Sequence, residues 1–206
     1  MQMISDTNTI LKLFFSGYTP LMWAAEDCQP KIVECLIKSG CDLNAKEKQV
    51  GSNALHLAAQ FGDVPTVQVL LDLCQSHRWE NNEFSTSPLH LAALNPKIEV
   101  LKLIFNNLKF DKECKNDLGM TAVHYSAQQG LVEHVKFLIQ NGCEKEPLEK
   151  NGRSPLHFAA YNGHKEVVKF LLEQGLDKNL KAKNGDTPAD KARKNNHKAI
   201  VKMLEK

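Results

Sequence analysis

The chain has 206 residues, 42% of them hydrophobic and 24% charged, and its 26 Lys and Arg against 24 Asp and Glu leave a net charge of +2. That length allows one large domain or two small ones with a buried core, and the balance excludes a disordered, collagen-like or disulfide-scaffold chain. No apolar run reaches the roughly 18 residues of a membrane span. The densest, Ile10 to Phe15, is broken by Lys12 and lacks the basic start and cleavage site of a secretory signal, so an intracellular protein that spans no membrane is expected.

In chain order, residues 1–16 come first, where Thr9 to Phe15 reads as a truncated N-terminal capping helix. From there one phrase governs the sequence. Thr19-Pro20-Leu21-Met22-Trp23-Ala24-Ala25 returns as Asn53-Ala54-Leu55-His56-Leu57-Ala58-Ala59 and Ser87-Pro88-Leu89-His90-Leu91-Ala92-Ala93. It continues as Thr121-Ala122-Val123-His124-Tyr125-Ser126-Ala127 and Ser154-Pro155-Leu156-His157-Phe158-Ala159-Ala160, and decays to Thr187-Pro188-Ala189-Asp190-Lys191-Ala192, at spacings of 34, 34, 34, 33 and 33 residues. Ser or Thr is a helix N-cap, and proline fits the first helical turn, where an N–H is not needed. Gly62, Gly130 and Gly163 follow where a left-handed residue would end that helix. A second apolar-periodic stretch then runs back, as in Lys165 to Leu172, and a polar segment with Gly at 51, 119, 152 or 185 forms a projecting turn.

This phrase and period resemble the ankyrin repeat family over nearly the whole chain. The resemblance implies an all-α solenoid of six stacked helix-turn-helix units with β-turn fingers. It forms a single domain over residues 1–206, with repeats starting near 17, 51, 85, 119, 152 and 185. One such unit cannot enclose an apolar face, so the core must run along the stack. The polar Asp190-Lys191 in place of Leu-His in the last unit reads as a cap.

Three departures stand out. Pro96 occupies the slot of the helix-ending glycine, so Asn95 is expected to take the left-handed conformation and Pro96 to open the next helix. The linker from Cys74 to Ser85 lacks a finger glycine and is expected to be irregular. Its Trp79 is either an exposed anchor or a cover for the stack.

His56, His90, His124 and His157 recur at one position, but neighbours about 10 Å apart cannot share an ion whose bonds are about 2.0–2.1 Å long. The resemblance gives each a hydrogen bond to backbone in the neighbouring finger. His77, His134, His164 and His197 are read as scattered. The six cysteines contain no C-x-x-C pair and are expected as free thiols, Cys41 and Cys143 being small buried residues. Neither a metal nor a cofactor is expected. No nucleophile elbow, phosphate loop, dinucleotide fingerprint or H-E-x-x-H is present, so the chain is read as no enzyme.

What remains is surface. In the resembled family the concave face is built from finger residues before the phrase and from residues after Ala-Ala. Carried over, these are Tyr18, Glu26, Asp27, Phe61, Phe84, Met120, Arg153 and Tyr161. Aromatic residues and Arg dominate binding hot spots, so this set implies a protein or peptide partner, although some of the large side chains are expected to pack on adjacent fingers.

The first repeat is also similar to one in the ankyrin domains of euchromatic histone lysine methyltransferases. There two aromatics and a glutamate contribute to a methyl-lysine cage, and Tyr18, Trp23 and Glu26 match. Leu57 stands where that family has a further tryptophan. Trp23 fills the apolar slot of Leu57, Leu91, Tyr125 and Phe158 and therefore reads as core. The chain is thus expected to be a monomeric, non-enzymatic interaction module, the alternatives being a methyl-lysine reader and a regulatory or substrate-recruiting subunit. Residues 178–206 carry nine basic and three acidic side chains. They lack the interleaved aromatics of single-strand binders and read as a solvated cap rather than a nucleic-acid site.

Overall fold

A computed structural model of the chain describes residues 16–75, 79–107 and 110–205. The expected capping segment over residues 1–16 lies, apart from Ser16, outside them. Among the described residues there are twelve helices and no strand. The chain divides into two compact units, residues 1–110 and 111–206.

The first unit holds α1 (Pro20–Glu26), α2 (Pro30–Lys38), α3 (Ala54–Phe61), α4 (Val64–Leu73), α5 (Pro88–Ala92) and α6 (Ile98–Asn106). The second holds α7 (Ala122–Gln129), α8 (Val132–Gln140), α9 (Pro155–Asn162), α10 (Lys165–Glu173), α11 (Pro188–Lys194) and α12 (Lys198–Leu204). In the first unit α1 packs on α3 and α3 on α5, while α2 packs on α4 and α4 on α6. The second repeats the scheme, with α7 on α9 on α11 and α8 on α10 on α12. Each unit is thus a stack of three helix pairs, with an inner and an outer row.

The repeated phrase places the inner helices where the sequence predicts them. Thr19, Asn53, Ser87, Thr121, Ser154 and Thr187 are the six N-caps. The Asn53 side-chain oxygen accepts from the N–H groups of Leu55 and His56 at 3.1 Å. In return the backbone N–H of the cap donates to the Nδ1 of the histidine three residues on, at 3.3 Å for Asn53 and His56 and 3.1 Å for Thr121 and His124. Two of the orphan N–H groups at the helix start are thereby satisfied. Leu55, Leu89, Val123 and Leu156 from these helices are fully buried, as are the Ala-Ala pairs that let the rows approach.

The turns between paired helices are more varied than the glycine pattern predicts. Gly130 and Gly163 adopt positive φ, 76° and 85°, as expected. Gly62 does not: it is extended, with φ of −72°, and its glycine is required because a Cβ would fall 2.4 Å from the Ala58 carbonyl oxygen. Cys28 fills the corresponding place in the first repeat with a left-handed φ of 55°.

The expectation for Asn95 is overturned. It is not among the left-handed residues; the ring of Pro96 pushes the residue before it toward extended backbone. Asn95 is buried instead, and its Nδ2 donates to the carbonyls of Ala59 at 3.1 Å and Gly62 at 3.2 Å. Pro96 does not open α6 either; that helix begins at Ile98 after Lys97.

The fingers are closed by a side chain that the sequence reading passed over. Asn82 Oδ1 accepts from the N–H groups of Phe84 and Thr86, and Asn116 Oδ1 accepts from those of Leu118 and Met120. Glu47 and Glu149 do the same with carboxylate oxygens. The finger over residues 82–86 is therefore regular, contrary to expectation. Ser85, at φ 56°, supplies the left-handed residue that glycine supplies elsewhere. Neighbouring fingers are joined through backbone, Glu83 N–H to Val50 O at 3.0 Å and Lys150 N–H to Leu118 O at 2.8 Å.

Candidate functional site

The face formed by fingers and inner helices is held at a fixed register by the recurring histidines. His56 Nε2 meets the Thr86 carbonyl at 2.9 Å, His124 that of Arg153 at 3.2 Å and His157 that of Asp186 at 3.2 Å. Since Nδ1 accepts from the N-cap backbone, Nε2 must carry the proton and donate, which fixes the neutral tautomer. Burial pushes His56 and His124 down to about 4 and lowers His157 as well.

A second histidine pair does the same work at the turns. His164 Nε2 donates to the Gln128 carbonyl at 2.8 Å and His197 Nε2 to that of Tyr161 at 3.0 Å. The reading of these two as scattered is corrected. They are one repeat apart, and in the first unit Asn95 makes a related bond to the preceding repeat, with Ala59 and Gly62 as acceptors. Among the described residues no group of three or more His, Cys, Asp or Glu is placed to hold a metal ion.

In the first unit Phe61 at 49% and Phe84 at 53% are exposed, and Asp27, at the repeat position of Phe61, is exposed at the end of α1. Tyr18 and Glu26 come together: the Tyr18 hydroxyl donates to the Glu26 carboxylate. Burial and this hydrogen bond, with the Glu26 and Glu47 charges, hold the phenol well above its ordinary range. Trp23 is half-buried, not fully in the core as its slot predicts, whereas Leu57, Leu91 and Phe158 in that slot are buried. The other half-buried occupant is Tyr125, whose hydroxyl accepts from Asn116 Nδ2 at 2.9 Å. The two aromatics with a polar handle are the ones kept partly wet. Trp79 is buried and covers the stack.

In the second unit Met120 does not line an open face. It is only 6% exposed, and this corrects its place among the partner-binding candidates: its apolar side chain, set between finger and helix, is removed from water. Leu118, two residues earlier at the finger tip, is 55% exposed. Arg153 is positioned by Glu149, whose oxygen Oε1 it meets through Nε at 3.1 Å. The Glu149 side chain is fully buried. That burial would raise its pKa, but the hydrogen bonds from Arg153 outweigh it and hold the carboxyl below the usual range.

The Arg153 guanidinium lies over the Phe158 ring, 4.6 Å from its centroid, and the other side of the arrangement is an edge-to-face contact of Phe158 with His124 at 5.6 Å. Tyr161, 51% exposed, stands at the end of the same helix. Arg153, Phe158, Tyr161, Gln128 and Lys191 line a hollow of about 220 Å³. Such a fixed cation over an aromatic floor can hold an anionic or aromatic group.

Three of the basic C-terminal residues, Lys191, Arg193 and Lys194, are paired with acids. Asp186 takes Lys191 at 2.8 Å and Lys194 at 2.7 Å, and Arg193 takes Asp190 at 2.6 Å and Glu205 at 2.5 Å. The two lysines hold Asp186 far below the usual carboxylate range. All six cysteines carry free thiols; Cys143 is buried and pushed up to about 12, and Cys41 is half-buried.

Stacked helix pairs joined by hydrogen-bonded fingers, each started by a Thr, Ser or Asn cap in a capping box, define a helical-repeat protein. A family model described as ankyrin repeats in three copies matches residues 2–78, 55–147, 89–182 and 145–206, and the chain belongs to the ankyrin-repeat family. It is similar to inversin of Canis lupus familiaris and of Homo sapiens, each 33% identical over 129 residues, which is 61% of this chain. It is also similar to transient receptor potential cation channel subfamily A member 1 of Drosophila melanogaster, 29% identical over 149 residues, or 67% of the chain. The chain spans 12% of the length of each of these relatives. Ankyrin repeats generally mediate protein–protein interaction. Among the described residues no helix is long and apolar enough to cross a membrane.

Proposed function

We propose that this chain is a non-enzymatic interaction module that binds a protein or peptide through the finger and inner-helix face of its repeats. The observation that carries the reading is the placement of Phe61, Phe84, Leu118 and Tyr161, each about half exposed on finger tips or inner-helix ends, while the apolar side chains inside the repeats are buried. Single exposed apolar side chains are ordinary on a protein surface, but aromatic residues set on this face, with Tyr161 beside Arg153 in the second unit, are of the types that interfaces use.

The test compares three proteins by proximity labelling and co-purification from cells: wild type, Phe61→Ala/Tyr161→Ala and Lys136→Glu/Lys169→Glu. Lys136 and Lys169 lie on outer helices α8 and α10, each within reach of a glutamate, and serve as the control face. Partners retained by the outer-face variant and lost by the aromatic variant support the reading. The opposite pattern overturns it.

A further inference from the structure

A second hollow, of about 400 Å³, adjoins the first in the second unit. Arg153 and Lys191 line both, so these two side chains form the divider between them. Lys183 and the finger residues Asn151 and Asn184 complete the outer hollow. Neither hollow is lined by an acidic side chain.

Both divider cations are held in place by carboxylates that line neither hollow. Arg153 is gripped along one edge by the buried Glu149, through Nε at 3.1 Å and Nη2 at 3.5 Å, which leaves Nη1 outside that grip. Lys191 reaches Asp186 at 2.8 Å, with its side chain only 15% exposed. Because Lys194 shares Asp186, the local account is four cations, Arg153, Lys183, Lys191 and Lys194, against two carboxylates. Two positive charges remain in excess. Cations fixed in this way need little ordering to receive an anion, which reduces the entropic cost of binding.

We propose that the paired hollows form one subsite for an acidic peptide: a glutamate or aspartate of the partner sits on the Arg153 and Lys191 divider, and a neighbouring aromatic or branched side chain enters the inner hollow against Phe158 and Tyr161. The proposal rests on the reading of this face as a partner-binding surface. It takes Lys191 out of the solvated cap and places it in the site. Peptide is favoured over nucleic acid because the hollows offer one aromatic floor rather than a series of stacking platforms. A few phosphate contacts here would also lose their affinity steeply with salt.

The experiment titrates the full chain, labelled with nitrogen-15, with capped peptides that place one glutamate and one phenylalanine zero to four residues apart in a glycine–serine background. The expected result is saturable movement of the Arg153, Tyr161, Lys183 and Lys191 amides at about 150 mM salt. Replacing the peptide glutamate by glutamine, or Lys183→Glu in the protein, weakens binding roughly tenfold, and Tyr161→Ala weakens the phenylalanine peptides but not those with serine in its place. Lys183 and Tyr161 are exposed, so both variants keep the fold.

Equal binding of the glutamine peptides overturns the proposal, as does equal binding of a single-stranded oligonucleotide that ignores Tyr161→Ala. If acidic peptides leave these amides unmoved while peptides selected from an unbiased library move Phe61 or Phe84, the subsite is refuted and the broader reading stands. If no selected peptide moves any finger or inner-helix amide, both fall.

Discussion

The two units solve the same connection with different chemistry. In residues 111–206 the inner helices α7 and α9 are followed by a left-handed glycine, Gly130 or Gly163, against which the imidazole of the next repeat lies, His164 or His197, and α11 by a left-handed Asn196. In residues 1–110 the same places hold a left-handed Cys28, an extended Gly62 and Pro96, and the amide of Asn95, just before that proline, reaches back to the preceding repeat. What is common is the bond made, a side-chain donor reaching a carbonyl of the preceding repeat. The donor changes from imidazole to amide and the carbonyl it meets shifts by a residue or two, from the Gln128 and Tyr161 position to Ala59 and Gly62.

The largest effect expected is one that the units share, and it tests whether their histidines are equivalent. His56 in the first unit and His124 in the second titrate near 4 in the fold against an ordinary 6.5. Their folded pKa lies below the unfolded one, so as pH falls the unfolded chain binds protons first. The stability is intact above about pH 6.5 and is lost on descent toward pH 4, by about 3 kcal/mol for each histidine. Urea denaturation of the wild type across that window, beside His56→Asn and His124→Asn, measures it. A flat profile between pH 6.5 and 4.5 would show that burial does not hold these rings neutral.

The next effect separates the units. Gly130→Ala forces a Cβ into left-handed backbone and to 2.4 Å from His164 Nδ1, yet the imidazole can swing away. Gly62→Ala meets the Ala58 carbonyl at 2.4 Å in ordinary extended backbone, where nothing can swing. Each is expected to cost about 2–3 kcal/mol, for different reasons. Adding His164→Ala should relieve the first in part and leave the second unchanged, which thermal unfolding of the double variants decides.

The smallest effect has the opposite sign. Cys28 is a non-glycine residue at φ 55°, so Cys28→Gly is expected to stabilise by about 1 kcal/mol, offset in part by the loss of its weak contact with the Phe61 carbonyl. Destabilisation on substitution would show that this thiol contact outweighs the backbone strain.

The helix starts were legible because N-cap, proline and histidine are local signals that recur with the period. The closing side chains Glu47, Asn82, Asn116 and Glu149 were missed although they carry one. Each stands five or six residues before its phrase, but acid and amide alternate there, and only their shared acceptor role unites them. His164 and His197 escaped for a related reason, since other repeats carry Gln29, Asp63, Lys97 and Leu131 in their place. At the candidate face, Phe61, Phe84 and Tyr161 were legible by position. Met120 was misplaced because the residue leaving the finger points inward when apolar, while Arg153 at the same place is drawn over Phe158 by Glu149. Lys183 and Lys191 could not be recognised from charge alone, because which lysines share an acid depends on the fold.

The histidine donors of His56, His124 and His157 all end on main-chain oxygens of the next finger. A carbonyl is present whatever amino acid bears it, here threonine, arginine or aspartate. The histidine share of neighbour recognition is accordingly blind to the side chain that bears the acceptor, and substitutions at those positions can rewrite what the surface offers without renegotiating these bonds.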